Sequence, residues 1–251
     1  MELQTIVDRY AEAITVIDDS VEEFGANART GAAYSPGFRS LNEARAVELI
    51  DDTWTALHPD ELLAHGTSIR YQTLPSSAKC DHVISTVDDP DQDLEWGIEV
   101  KRLQFVGDNG KANDYAVTKT LSPYLKDRGL LHDALRLREH GFTKRVAVVA
   151  YLFNYSTASV SEGFRRHRSD QARTVLANIA EVLERNGGSM QARPLVEFLD
   201  AIMGLRGLST GPRAEAPFSA WRHPAGGEGL VFGWEIRRPH LEPGYDPRHP
   251  W

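Results

Sequence analysis

One acid-x-Lys triplet occurs in the chain, Glu99-Val100-Lys101, inside the run Trp96-Gly-Ile-Glu-Val-Lys-Arg-Leu-Gln-Phe105. That run reads as a strand, in which residues two apart project from one face. Glu99 and Lys101 then share a face, while Ile98, Val100 and Arg102 take the other. The strand-like segment before it, residues 79–86, carries Asp81. If the two pair antiparallel around Pro90, Asp81 and Glu99 are equidistant from the turn and stand opposite each other. Cross-strand partners lie about 4.5–5.5 Å apart at Cβ. Two carboxylates so placed can hold one divalent cation, and hard oxygen ligands with retained waters suit Mg²⁺, with Mn²⁺ as its substitute. The Lys101 amine beside them can position or help deprotonate an attacking water, or stabilise negative charge building on phosphorus. Without a metal, two adjacent buried carboxylates are costly, and one should hold a proton.

The triplet alone decides nothing, because a chain with six lysines and 36 acids holds such a triplet about once by chance. Its surroundings raise its value. Residues 2–24 read as an amphipathic helix, with Ile6, Tyr10, Ile14, Ile17, Val21 and Phe24 at helical spacing and Gly25 as its stop. The Gly- and Ala-rich stretch 26–37 reads as a loop. A second helix spans 40–57, with Val47, Ile50, Trp54 and Leu57 on one stripe and His58-Pro59 at its end. Strands are expected at 66–73 and 79–86, with loops at 87–95 and 107–114. Ser122-Pro123 can open a helix that runs to Gly141. The nearly continuous apolar run 145–155 reads as a strand buried on both faces. Helices at 170–186 and 194–204 and a hairpin-like piece at 230–237 follow. The order predicts a mixed α/β protein in one domain, with a central sheet flanked by helices.

From about Ser40 to Tyr155 this arrangement resembles the PD-(D/E)XK nuclease superfamily, the restriction-endonuclease-like fold. The resemblance implies a core of helix, strand hairpin, strand, helix and strand. It also implies Asp81 and Glu99 as metal ligands and Lys101 as the catalytic lysine. The chain departs from the pattern in having Cys80, not Pro, before Asp81. A literal Pro90-Asp91 lies eight residues before Glu99, in the expected loop, so Asp91 is the alternative first ligand. Several families of this fold add a glutamate from the first core helix. Glu43 lies on the stripe of helix 40–57 and would face inward; the competing reading is that it closes a capping box with Ser40.

Other groups can serve nucleic acid. Ser122, Lys126 and Arg128 sit near the expected helix start, where phosphate is favoured, or are merely a solvated helix end. Arg165-Arg166-His167-Arg168 with Arg173 is the densest basic cluster and can bind backbone phosphates or form a solvated face. Trp96, Trp221, Trp234 and Trp251 can stack on bases, yet tryptophan is more often core. Cys80 should turn away from Asp81 as an inert buried thiol.

The 251 residues carry a formal charge of −8, and residues 1–75 hold 13 acids against 5 bases. Such a balance excludes a histone-like, purely electrostatic binder but not an enzyme with a local basic surface. All six lysines fall between Lys79 and Lys144. A lone cysteine excludes an internal disulfide or multi-cysteine metal site. No apolar run reaches membrane-span length, and the N-terminus lacks a signal-peptide pattern, so a cytoplasmic protein is expected. Phosphate-loop, dinucleotide, zincin and serine-esterase motifs are absent. The expected function is therefore a Mg²⁺-dependent DNA endonuclease of restriction or phage-defence type, acting as a homodimer to cut both strands, with RNA as a further possible substrate. The alternatives are a non-catalytic binding or assembly protein on the same scaffold and an unrelated small-molecule α/β enzyme.

Overall fold

The computed structural model describes residues 1–22, 35–75, 77–87 and 94–238. Phe24, Pro90, Asp91 and Trp251, all named above, lie outside these residues. The first elements in chain order are α1 (Leu3–Ser20), a 3₁₀ turn (Phe38–Ser40), α2 (Glu43–Leu57), β1 (Ala64–Arg70), β2 (Lys79–Ser85) and β3 (Trp96–Leu103). Next come α3 (Asp114–Thr120), a second 3₁₀ turn (Leu125–Asp127), α4 (Leu130–His140), β4 (Arg145–Phe153) and β5 (Tyr155–Ser156). The chain closes with α5 (Thr157–Arg166), α6 (Asp170–Arg185), β6 (Ser189–Met190), α7 (Ala192–Leu205), β7 (Ala214–Ala220) and β8 (Gly227–Glu235). The protein is a mixed α/β fold, as its pattern of elements leads one to expect.

Six strands form one sheet in the order β1-β2-β3-β4-β8-β7. The pair β3–β4 is parallel, and the other neighbours are antiparallel. β4 explains the apolar run at its centre. Ala147, Val149, Tyr151 and Phe153 join the core shared with α1 and α2, while Val146, Val148, Ala150 and Leu152 join the one shared with α4 and α7. A strand covered on both faces needs no polar alternation. α1 supplies Ile6, Tyr10, Ile14 and Ile17 to the first core, as its helical spacing requires.

The β2–β3 register is the one the sequence favours. His82 faces Ile98, Val83 faces Gly97 and Ile84 faces Trp96, each pair equidistant from Pro90. Other boundaries move. β1 lies at 64–70, not 66–73. The helix expected from Ser122 starts at Leu130, because residues 121–129 form a closed loop. In that loop the Ser122 hydroxyl donates to the Asp127 carboxylate, and a Cβ at Gly129 would stand 2.1 Å from the Lys119 carbonyl oxygen. α3 and α5 are additional to the expected helices, and the C-terminal hairpin is larger than expected, with β8 pairing directly with β4. Among the described residues no helix is long and apolar enough to cross a membrane.

Candidate active site

The β2–β3 ladder ends at His82↔Ile98, and Asp81 is the next residue outward. Its carboxylate replaces the ladder bond by accepting the Val100 N–H at 2.8 Å, and it stands within hydrogen-bonding reach of the Glu99 carboxyl. Glu99 is 1% exposed. One of its oxygens accepts the Tyr71 hydroxyl, and the other lies 2.6 Å from Arg136 Nη2. The same Arg136 nitrogen is 2.9 Å from Asp133 Oδ1, and its guanidinium packs over the Tyr71 ring.

Lys101 is clamped between two helices. Its Nζ donates to Glu43 Oε1 on α2 at 2.7 Å and to the Val100 carbonyl at 3.0 Å, and lies 3.1 Å from Asp133 Oδ2 on α4. Glu43 also accepts the Arg102 N–H at 3.1 Å. The N-cap of α2 is Asn42, which accepts the Arg45 N–H, while the Ser40 hydroxyl bonds to the Gly37 carbonyl. The Ser40–Glu43 capping box is therefore not formed, and Glu43 faces Lys101. Of these groups Glu43, Asp81, Glu99, Lys101, Asp133 and Arg136 line one cavity of about 570 Å³.

The electrostatics are unbalanced. Four acids, Glu43, Asp81, Glu99 and Asp133, meet two cations, Lys101 and Arg136. Burial pushes the Asp81 carboxyl above its ordinary range, against the pull of Lys101. Burial, then the charges of Asp81 and Asp133, push Glu99 well above it. Burial alone would lower the Lys101 amine, but Asp133, Glu43 and Asp81 outweigh it and hold the amine above its usual value. A lysine so held is a hydrogen-bond donor and a positive charge. Among the roles expected for Lys101, such a held ammonium suits stabilising negative charge.

The site also bears on a metal ion. Its donors are hard carboxylate oxygens, and the buried Asp133 Oδ2 accepts no well-directed hydrogen bond. Four hard carboxylates meeting two cations leave a surplus of negative charge that a divalent cation would relieve, so the donor set fits Mg²⁺ or Mn²⁺. Among the described residues no three of His, Cys, Asp and Glu form a ready-made cage. Asp81 and Glu99 would leave the remaining positions to water or substrate, as Mg²⁺ commonly does.

Of the outlying candidates, Arg128 lines the cavity, but Ser122 and Lys126 are not among its lining residues, and neither stands at the start of α4. Arg165, Arg166 and Arg168 are also not among its lining residues. Arg165 and Arg166 pair with Glu162 on α5, and Arg166 stacks over Trp221. Trp96 and Trp234 are fully buried core residues. Cys80 is fully buried, but it joins the cluster of Tyr71 and Val83, so simple alternation fails at that point. Ser68, between the β1 residues paired with Cys80 and His82, has φ +56°. Sequence reasoning missed Tyr71, Asp133 and Arg136. Asp133 carried a signal: an acid three residues after Leu130 and four before Leu137 sits on the apolar stripe of its helix. Tyr71 and Arg136 carried none.

No protein-family model matches the chain, and no curated protein and no solved structure matches it either.

Proposed function

We propose that the protein is a Mg²⁺-dependent endonuclease of the PD-(D/E)XK type, hydrolysing phosphodiester bonds in DNA. The observation that carries this reading is the meeting of Asp81, Glu99 and Lys101 on the floor of one cavity, where four acids meet only two cations, Lys101 and Arg136. The helix, hairpin, strand, helix and strand order from α2 to β4 supports it. Asp81 and Glu99 would hold the cation, which when bound supplies Lewis-acid activation of water and of the phosphoryl oxygen. Lys101, held as an ammonium by Glu43 and Asp133, presents a fixed positive charge to the negative charge that develops at phosphorus. Arg136 and Tyr71 hold the Glu99 carboxyl in a fixed orientation, one at each oxygen. Cutting both strands of a duplex calls for two such sites, hence a homodimer.

The test is a supercoiled plasmid incubated with the protein and Mg²⁺, in parallel with the metal chelated. Nicking or linearisation is expected only with the metal, and Lys101→Ala should remove it. Because Lys101 neutralises the buried Asp133, the variant's thermal midpoint should fall, and circular dichroism establishes that it is still folded at the assay temperature. An alanine variant as active as the parent would take Lys101 out of the mechanism.

A second reading, a non-catalytic binding or assembly protein, is favoured by one observation: both Glu99 oxygens already hold protein donors, and the side chain is almost wholly buried. Absence of any Mn²⁺-dependent thermal shift, together with no cleavage of DNA or RNA, would select it.

A further inference from the structure

Six cationic side chains line the cavity: Lys79, Lys101, Arg102, Lys119, Arg128 and Arg136. Three are committed. Lys101 and Arg136 pair with the acids, and the Arg102 guanidinium donates to the Arg39 and Leu41 carbonyls. The side chains of Lys79, Lys119 and Arg128 form no ion pair or hydrogen bond with any described residue. They come from three separate places, the start of β2, the last turn of α3 and the loop before α4.

In a chain of net charge −8, three unspent cations around an acidic floor are a local reversal of sign. The loop that brings Arg128 there is tightly built. Arg128 has φ +48°, and the next residue, Gly129, has no room for a Cβ against the Lys119 carbonyl. Among the described residues the two non-glycine positions with positive φ are Arg128 and Ser68, and both line this cavity. Strained backbone at a non-glycine residue persists only where its surroundings enforce it, and such positions gather at binding sites.

We propose that Lys79, Lys119 and Arg128 form the rim that grips the phosphodiester backbone of a polynucleotide, and that the denser Arg165–Arg168 run does not. This inference rests on the nuclease reading for the identity of the ligand, but it concerns binding rather than cleavage. A polyanion entering the cavity would meet the rim charges first and the acidic floor only at the bond to be cut. The three rim charges come from three different elements around one opening, so they can contact a backbone at more than one phosphate. The guanidinium of Arg128 can take a phosphate through two parallel N–H donors, whereas each lysine acts as a point charge.

The test is binding of a labelled 20-base-pair DNA duplex, and of the RNA duplex of the same sequence, by fluorescence anisotropy with divalent metal chelated, across a salt series. Two variants are compared with the parent: Lys79→Gln/Lys119→Gln/Arg128→Gln and Arg165→Gln/Arg166→Gln/Arg168→Gln. Each lost phosphate contact lowers the slope of log affinity against log salt by about 0.9 on duplex DNA. The rim variant should therefore lose about 2 to 3 of that slope and bind at least about tenfold more weakly, with the other variant unchanged. If the triple rim variant fails to fold by circular dichroism, the three single variants should each lose about one contact's worth of slope. A parent protein that binds neither duplex overturns the inference, as does a folded rim variant that keeps the parent's slope. Cleavage in Mg²⁺ is scored separately. Rim-dependent binding without cleavage keeps this inference and removes the nuclease reading; cleavage with a rim-independent slope does the reverse.

Discussion

Asp81 and His82 are neighbours on β2, and they belong to two polar clusters on different sides of the sheet. On the α1–α2 side, the Tyr10 hydroxyl donates to His82 Nδ1 at 2.7 Å, and His82 Nε2 donates to Asp51 Oδ1 at 2.9 Å. Asp51 also receives His65 Nδ1 at 2.9 Å. His82 and Tyr10 are fully buried, and every ring nitrogen and hydroxyl along Tyr10–His82–Asp51 has a partner. Burial raises the Asp51 carboxyl, but the two histidines more than offset this and leave it below its ordinary range. The other cluster, around Asp81 and Glu99, is buried nearly as deeply and is left overcharged, with both carboxyls pushed up. A closed polar network is what a core tolerates for its own stability. One left with surplus charge and an open mouth is organised for something that arrives from outside.

Substitutions can break this contrast. The largest effect is expected from Glu99→Gln: cleavage of plasmid should fall by about 10³-fold, while Tyr71 and Arg136 keep partners and the fold persists. Near-normal cleavage by that variant would mean the overcharged cluster is not the reacting one. Next comes His82→Ala, which strips Asp51 of a donor and leaves the Tyr10 hydroxyl without its acceptor. It should cost about 3 kcal/mol in urea unfolding. A loss under about 1 kcal/mol would show that the network is not the prop described.

A smaller effect of opposite sign is expected from Asp81→Asn. Removing one of two adjacent buried carboxylates should stabilise the metal-free protein by about 1 kcal/mol, and the thermal shift on adding Mn²⁺ should vanish. A destabilised variant with an intact metal response would reverse the comparison.

Smallest are the pH effects, which run in opposite directions for the two clusters. Asp51 is depressed in the folded state, so its contribution is present above the ordinary carboxylate value and is lost as pH falls through its lowered one. Asp81 and Glu99 are raised, so the folded state binds protons more tightly than the unfolded chain does. With metal chelated, their contribution should decline as pH rises above the ordinary carboxylate value. Thermal midpoints from pH 3 to pH 8 check this. Relative to the parent, Asp51→Asn should approach parity only at the acid end. Asp81→Asn should gain most at the alkaline end.

The legible part of this molecule is the part set by period and local pattern. The two-residue alternation of β3 and the distance of both strands from Pro90 led to the observed register, and with it to the meeting of Asp81 and Glu99. The unbroken apolar run of β4 announced a strand covered on both faces. What could not be read is what depends on long-range packing. Tyr71 and Arg136 reach Glu99 from 28 residues before it and from a helix after it, and no local pattern marks either. The loop 121–129 defeated the expectation of a helix at Ser122-Pro123, because the Ser122–Asp127 bond and the contact at Gly129 outweigh the preference of proline for a first helical turn. The densest basic run, Arg165–Arg168, is not among the residues that line the cavity, and its Arg165 and Arg166 pair with Glu162 on the surface.

The pairing frame of β2 against β3 has a further consequence. Displacing one strand by a single position would exchange the sides that Asp81 and His82 occupy. The histidine would then be stranded in the acidic opening, and the aspartate driven among Tyr10, Trp54 and the apolar helices. A misaligned chain thus pays twice, so correct assembly of the interior and correct assembly of the chemistry become a single event.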